Sequence, residues 1–224
     1  MTKMTNSLVL GSVLAASTLV SGAAFAELTT NVGVTSNYLW RGVTQSGDDS
    51  AISGGIDYSH ESGFYAGTWT SSLGGGSQYE LDLYAGFSGE ASSVSYDVGL
   101  IQYMYPIGDA VELDFTEAQA TVGYGPVSLY IAQTIDTEDS SAAADSLYVS
   151  LSAETAIDKD YTVGFTFGSY SGDDIKAAFG DDYTHLAVKL SKGDFAFAIE
   201  KNDIDNVTMV DNDPRVTVSW GKSF

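Results

Sequence analysis

The 224-residue chain has no cysteine, three prolines, two histidines and nine lysines and arginines against 30 acidic residues. The lack of cysteine excludes a disulfide framework and any thiolate metal site. The scarcity of cations leaves no positive face for phosphate, which excludes nucleic acid as a partner. After the first residues no stretch reaches 18 apolar side chains, so no helix is expected to span a bilayer. G-x-S-x-G, H-E-x-x-H and a phosphate-binding glycine loop are all missing, and Gly74–Gly76 reads as loop flexibility.

What is present begins with an export signal. Lys3 supplies a positive start, "LVLGSVLAASTLV" (8–20) an apolar stretch, and "AFA" (24–26) a small-residue cleavage site. The signal is expected to span residues 1–26, and its apolar run is too short for an anchor. Removing 26 residues from 224 leaves 198, and removing Lys3 leaves eight cations, 30 acids and a net charge of −22. One domain, 27–224, is the expectation at that length. With 44% hydrophobic and 12% aromatic residues the chain can order itself.

The pattern of the mature chain has period two. In "YELDLYAGFSG" (79–89), Tyr79, Leu81, Leu83, Ala85 and Phe87 share one face, while Glu80, Asp82 and Tyr84 share the other. Twelve such segments are predicted, at about 28–42, 51–60, 64–72, 79–89, 93–103, 111–124, 127–135, 146–154, 161–170, 183–191, 195–202 and 214–224. Short connections such as "ESG" (61–63) and "GP" (125–126) alternate with longer ones rich in acids, serine or glycine. An even number of strands of this length, joined alternately by short and long connections, predicts an all-β, antiparallel up-and-down barrel in an outer membrane. A soluble sandwich or lipocalin-like barrel also alternates. Against it stand one face that stays apolar on nearly every strand, aromatics near strand ends, and a terminal Phe224.

"TSNYLWRGVTQS", "GGIDYSHESGFYAGTWTSS" and "YELDLYAGFSGE" resemble the proteobacterial family of TorF-like porins, also known as Gcw_chp. The resemblance covers the mature chain, with its densest motifs within 35–90. It implies an exported outer-membrane barrel of porin type in a Gram-negative bacterium, and brings no assigned solute or catalytic residue. Lys222 departs from the barrel-assembly pattern, which has a hydrophobic residue two before the terminal Phe; near the interface its stem can snorkel.

Parity along the strands assigns facing. With the amino terminus in the periplasm, Tyr38 and Trp40 are expected at the outer lipid interface, with Trp220 and Phe224 also facing lipid. Arg41 and Arg215, the only arginines, fall on the lumen side of the first and last strands, and closure predicts that they meet at the seam. The same parity sends Asp57, Glu80, Asp82, Asp97, Glu117, Glu200, Lys189 and His185 to the lumen, where charge costs less than in lipid. Arginines facing an acidic wall predict a transverse field at a constriction and a preference for cations. The plainer alternative is that these charges pair and plug a narrow barrel, since twelve strands lie between a filled and an open interior. In the sixth segment the alternation breaks, which predicts either a bulge near Phe115–Glu117 or a loop over Val111–Phe115. The facing of the third segment, "FYAGTWTSS", stays open.

The expected function is passive diffusion of small polar, preferentially cationic, solutes through an outer-membrane channel. The alternatives are a non-conducting structural or surface-interaction barrel and, third, an outer-membrane hydrolase. Enzyme chemistry is not expected: His60 with Glu61 and Ser62 reads as a surface cluster, and His185 has no paired serine. No cofactor or metal centre is expected. The acidic loops (Asp48–Asp49, Asp136–Glu138–Asp139, Asp173–Asp174, Asp181–Asp182, Asp203–Asp205, Asp211–Asp213) read first as solvated segments. Weak Ca²⁺ or Mg²⁺ binding there, bridging to lipopolysaccharide phosphates, is the second reading. Expected partners are outer-membrane lipid, lipopolysaccharide, small polar solutes and the barrel-assembly machinery.

Overall fold

A computed structural model describes residues 26–74, 79–106, 113–138, 145–205 and 212–224. The signal segment up to residue 25, Gly75, Gly76, Val111, Glu112, Asp139 and Asp211 lie outside the described residues. In chain order the elements are β1 (Glu27–Thr35), β2 (Leu39–Trp40), β3 (Val43–Thr44), β4 (Ala51–Ser59), β5 (Phe64–Ser72), β6 (Tyr79–Ala91) and β7 (Val94–Met104). They continue with β8 (Phe115–Tyr124), β9 (Val127–Thr137), β10 (Leu147–Ala156), β11 (Thr162–Ser171), α1 (Asp173–Phe179), β12 (Tyr183–Lys192), β13 (Phe195–Asn202) and β14 (Arg215–Ser223). Twelve of the strands close an antiparallel barrel, in which β1 lies between β4 and β14. β2 and β3 form a separate hairpin.

Alternation places Leu83, Leu100, Val122, Phe165, Leu186 and Val218 on an exposed outer wall. So much exposed apolar surface is costly in water and favourable in hydrocarbon. The closed ladder leaves no barrel strand with a free edge, which a bilayer requires. At the seam the terminal Phe224 exchanges backbone hydrogen bonds with Thr30 (2.9 and 3.2 Å), so the last residue is zipped to the first strand. Lys222 reaches Asp194 in the β12–β13 turn at 3.2 Å, which keeps its charge at the barrel end.

Three local features refine the sequence reading. The third segment, β5, turns Tyr65, Gly67, Trp69 and Ser71 inward, opposite Gly86, Tyr84, Asp82 and Glu80 of β6. Gly67 is where Tyr84 lies flat against the wall, and a Cβ there would stand 2.5 Å from the ring. The bulge expected near Phe115–Glu117 does not fall on the sixth segment: β8 begins only at Phe115, with Leu113 and Asp114 outside it, and the register shifts between Thr116 and Glu117. The extra residue, Ile135, belongs to the partner strand β9, so β8 keeps one parity with Phe115 and Glu117 both inward.

The first segment corrects an expectation. No single strand runs from 28 to 42: β1 ends at Thr35, and the chain turns into the barrel. Thr35 Oγ1 donates to the Asn37 carbonyl (2.8 Å) and accepts from the Asn37 amide (3.4 Å), a local turn that competes with the ladder. Leu39–Trp40 then pairs with Val43–Thr44 around Arg41–Gly42, whose φ values of 50 and 83 are those of a type I′ hairpin turn.

Candidate functional site

The inserted hairpin fills the interior. Tyr38 packs edge-on against Trp69 of β5 at 5.6 Å and donates its hydroxyl to Glu80 of β6 at 2.8 Å. Trp40 stands among Tyr103, Phe115 and Tyr170, from β7, β8 and β11. Tyr183 of β12 donates to the Arg41 carbonyl (3.0 Å), and Asn202 of β13 donates to the Gly42 carbonyl (2.8 Å). At Gly42 a Cβ would stand 2.6 Å from the Cβ of His185, so both the backbone angle and the wall demand glycine. Val43 joins a core of Tyr148, Tyr170, Tyr183, Ile175 of α1 and Ile204, which draws the loops at the mouth over the hairpin.

At the tip of the hairpin Arg41 reaches Glu117. Nη1 and Nη2 donate to Oε1 and Oε2 at 2.8 and 2.7 Å, the parallel fork that a carboxylate accepts best. The guanidinium carbon lies 4.1, 4.3 and 4.6 Å from the ring centres of Trp40, Tyr148 and Tyr170. Arg41 is 2% exposed and Glu117 fully buried. Glu117 stands on β8, five strands from β1 one way round and six from β14 the other, so the pair spans the lumen.

The arginines therefore do not meet at the seam. β1 leaves β14 after the Thr35–Ser219 pair, so Arg215, four residues further along β14, has no barrel strand on that side. Its Nε donates instead to Asp48 Oδ1 at 2.7 Å, on the returning limb of the inserted loop. Asp48 is also held by Asn37 Nδ2 at 2.7 Å, and the Arg215 hydrogen bond keeps its carboxyl below the usual carboxylate range. Tyr38 and Trp40 are corrected likewise: both lie inside the barrel rather than at the lipid interface. Trp220 and Phe224 lie on the outer face of β14 and at its end, Phe224 exposed and Trp220 half-buried.

The other charged residues sit where tyrosines and amides can reach them. Asp57 accepts from Asn31 (3.0 Å) and from Tyr84, Asp97 from Tyr65 (2.9 Å), and Glu80 from Tyr105 (3.2 Å) as well as from Tyr38. Asp82 is fully buried, with neither carboxylate oxygen hydrogen-bonded among the described residues. His185 Nε2 and Tyr148 Oη are 2.8 Å apart. Glu200 Oε1 lies 2.7 Å from His185 Nδ1, off the direction of an aligned hydrogen bond. Lys189 approaches Glu154 at 3.9 Å. His60 and Ser62 pair at 2.9 Å in the exposed β4–β5 turn. Among the described residues no three His, Asp or Glu side chains are arranged to hold a metal ion. Sequence reasoning missed Tyr148, Tyr170 and Asp48. The signals present were the turn-forming Thr35-Ser36-Asn37 and the Arg-Gly pair between Leu39-Trp40 and the β-branched Val43-Thr44.

An apolar outer wall, a polar and acidic interior, and an inserted constriction define a transmembrane barrel of the outer-membrane porin type. Solved structures share the fold. The KdgM porin superposes with a TM-score of 0.58 at 10% identity, over 88% of this chain and 98% of that one. The KdgM porin in complex with disordered oligogalacturonate gives 0.55 at 10% identity over 89% and 98%. The NanC porin in a rhombohedral crystal form gives 0.53 at 11% over 87% and 98%. At such identities the likeness is one of fold. No curated protein matches the sequence. The family described as "Bacterial protein of unknown function (Gcw_chp)" matches residues 20–213, and the chain belongs to it.

Proposed function

We propose that the protein is a passive outer-membrane channel for small polar cations, kept narrow by its own inserted hairpin. The observation that carries this reading is the charge of the wall. Asp57, Glu80, Asp82, Asp97, Glu117, Glu154 and Glu200 have inward parity, against Lys189, Arg215 and the hairpin's Arg41. A ring of carboxylates in a confined pore raises the local concentration of cations and repels anions. That balance disfavours a polyanion of the oligogalacturonate type. On this reading residues 1–26 are a leader removed before Glu27, the assembly machinery inserts the barrel, and lipid and lipopolysaccharide surround it. Divalent ions held weakly by the acidic loops belong to the same proposal.

The protein folded in planar bilayers under a KCl gradient is expected to show a reversal potential of cation-selective sign. A potential of anion-selective sign would refute the cation reading. A non-conducting surface barrel is the second reading, favoured by one observation: the hairpin touches the wall from β5 round to β13. Silence both before and after removal of the hairpin would establish it in place of the channel.

A further inference from the structure

Arg41 occupies a site that is complete without it. Glu117 is fixed on β8 between the ladders to β7 and β9. Tyr148 and Tyr170 are neighbours on paired strands, edge-to-face at 5.7 Å, and contact the His185 ring and Tyr183 respectively. None of these supports comes from the hairpin. The occupant, by contrast, is carried on a hairpin of two-residue strands, with a non-glycine residue at φ 50.

We infer that Glu117, Tyr148 and Tyr170 form a binding site for a guanidinium-bearing solute, and that Arg41 is its built-in occupant. A planar guanidinium makes the two-pronged contact with Glu117 while its carbon lies within cation–π distance of both tyrosines, whereas a quaternary ammonium meets aromatic faces but has no N–H to donate to the carboxylate. Once Arg41 withdraws, an emptied Glu117 leaves a buried carboxylate uncompensated, which favours a replacement cation. The inference deepens the channel reading and rests on it: the solute class is guanidinium-bearing, and its passage requires exchange with Arg41.

The test uses full-length wild-type protein, Arg41→Ala and the double variant Arg41→Ala with Glu117→Gln, with methylguanidinium against tetramethylammonium. In bilayers the Arg41→Ala current is expected to fall with millimolar methylguanidinium and to ignore tetramethylammonium, with at least tenfold weaker sensitivity in the double variant. In detergent, tryptophan fluorescence of Arg41→Ala is expected to change saturably with methylguanidinium, while wild type, its site filled, does not respond at the same concentrations. Equal effects of the two cations, or unchanged sensitivity in the double variant, overturn the inference. A saturable titration without current from any variant sinks the channel reading and leaves the site standing; current without saturation does the reverse. Heat-modifiable gel migration checks folding. Arg41→Asn, which removes the charge with a short side chain that tolerates the left-handed backbone, takes the place of Arg41→Ala should that variant lose the folded band.

Discussion

Arg41 shows how two opposing terms are settled at one residue. Its left-handed backbone costs an ordinary side chain roughly 1–2 kcal/mol, and taking its charge out of water costs several more. The two-pronged contact with Glu117 and three aromatic faces at 4.1–4.6 Å are what offset this. The second arginine works closer to water. The Asp48 side chain is 54% exposed, so its pair with Arg215 is worth only roughly 0.2–1 kcal/mol. Because the Asp48 carboxyl is depressed in the folded state, that contribution is full above the unfolded value near pH 4. It fades as pH falls through the lower folded value. Acidification below about pH 4 is therefore expected to loosen the returning limb of the inserted loop. Asp48→Asn should show the same loosening at pH 7. Amide hydrogen exchange over residues 44–49 reads both, and identical exchange in the variant and wild type at pH 7 would refute the tether.

The inserted hairpin and the barrel are held by different forces. The barrel's ladder hydrogen bonds run from strand to strand without passing through β2 or β3. The hairpin is held by side chains: the Tyr38–Glu80 bond, the Arg41–Glu117 fork, and the donors Tyr183 and Asn202. Replacing Tyr38–Ser46 by a short Gly-Ser bridge should therefore leave the barrel folded and raise single-channel conductance several-fold. Gel migration before and after heating reports the first outcome and planar bilayers the second. Loss of the folded band would show that the hairpin is part of the fold rather than a stopper in it.

At the scale of the whole molecule, the surface that would be a fault in water is the fitted one in lipid. Leu100, in the middle of β7, is 52% exposed. On a soluble protein, replacing such a residue with lysine changes stability by less than about 0.5 kcal/mol. Near a bilayer midplane it costs about 2–4 kcal/mol. Leu100→Lys is therefore expected to lower the urea midpoint of the barrel in lipid vesicles by the larger amount, and a neutral result would contradict a membrane-facing wall. The barrel was legible in the sequence because facing follows from period two alone. Segments such as 64–72 and 195–202 coincide with β5 and β13, and Asp57, Glu80, Asp82, Asp97 and Glu117 have the inward parity the alternation assigned them. The route of residues 36–50 was not legible, because a local turn at Thr35 outweighs an alternation that continues through Trp40. Nor was the partner of Arg41, since Glu117 is 76 residues away and is chosen by closure of the ring. Local periodicity by itself determined the wall of this protein. What fills the wall was decided only by the tertiary structure, because contacts across a lumen depend on which strands stand opposite, and that exists only once the barrel has closed.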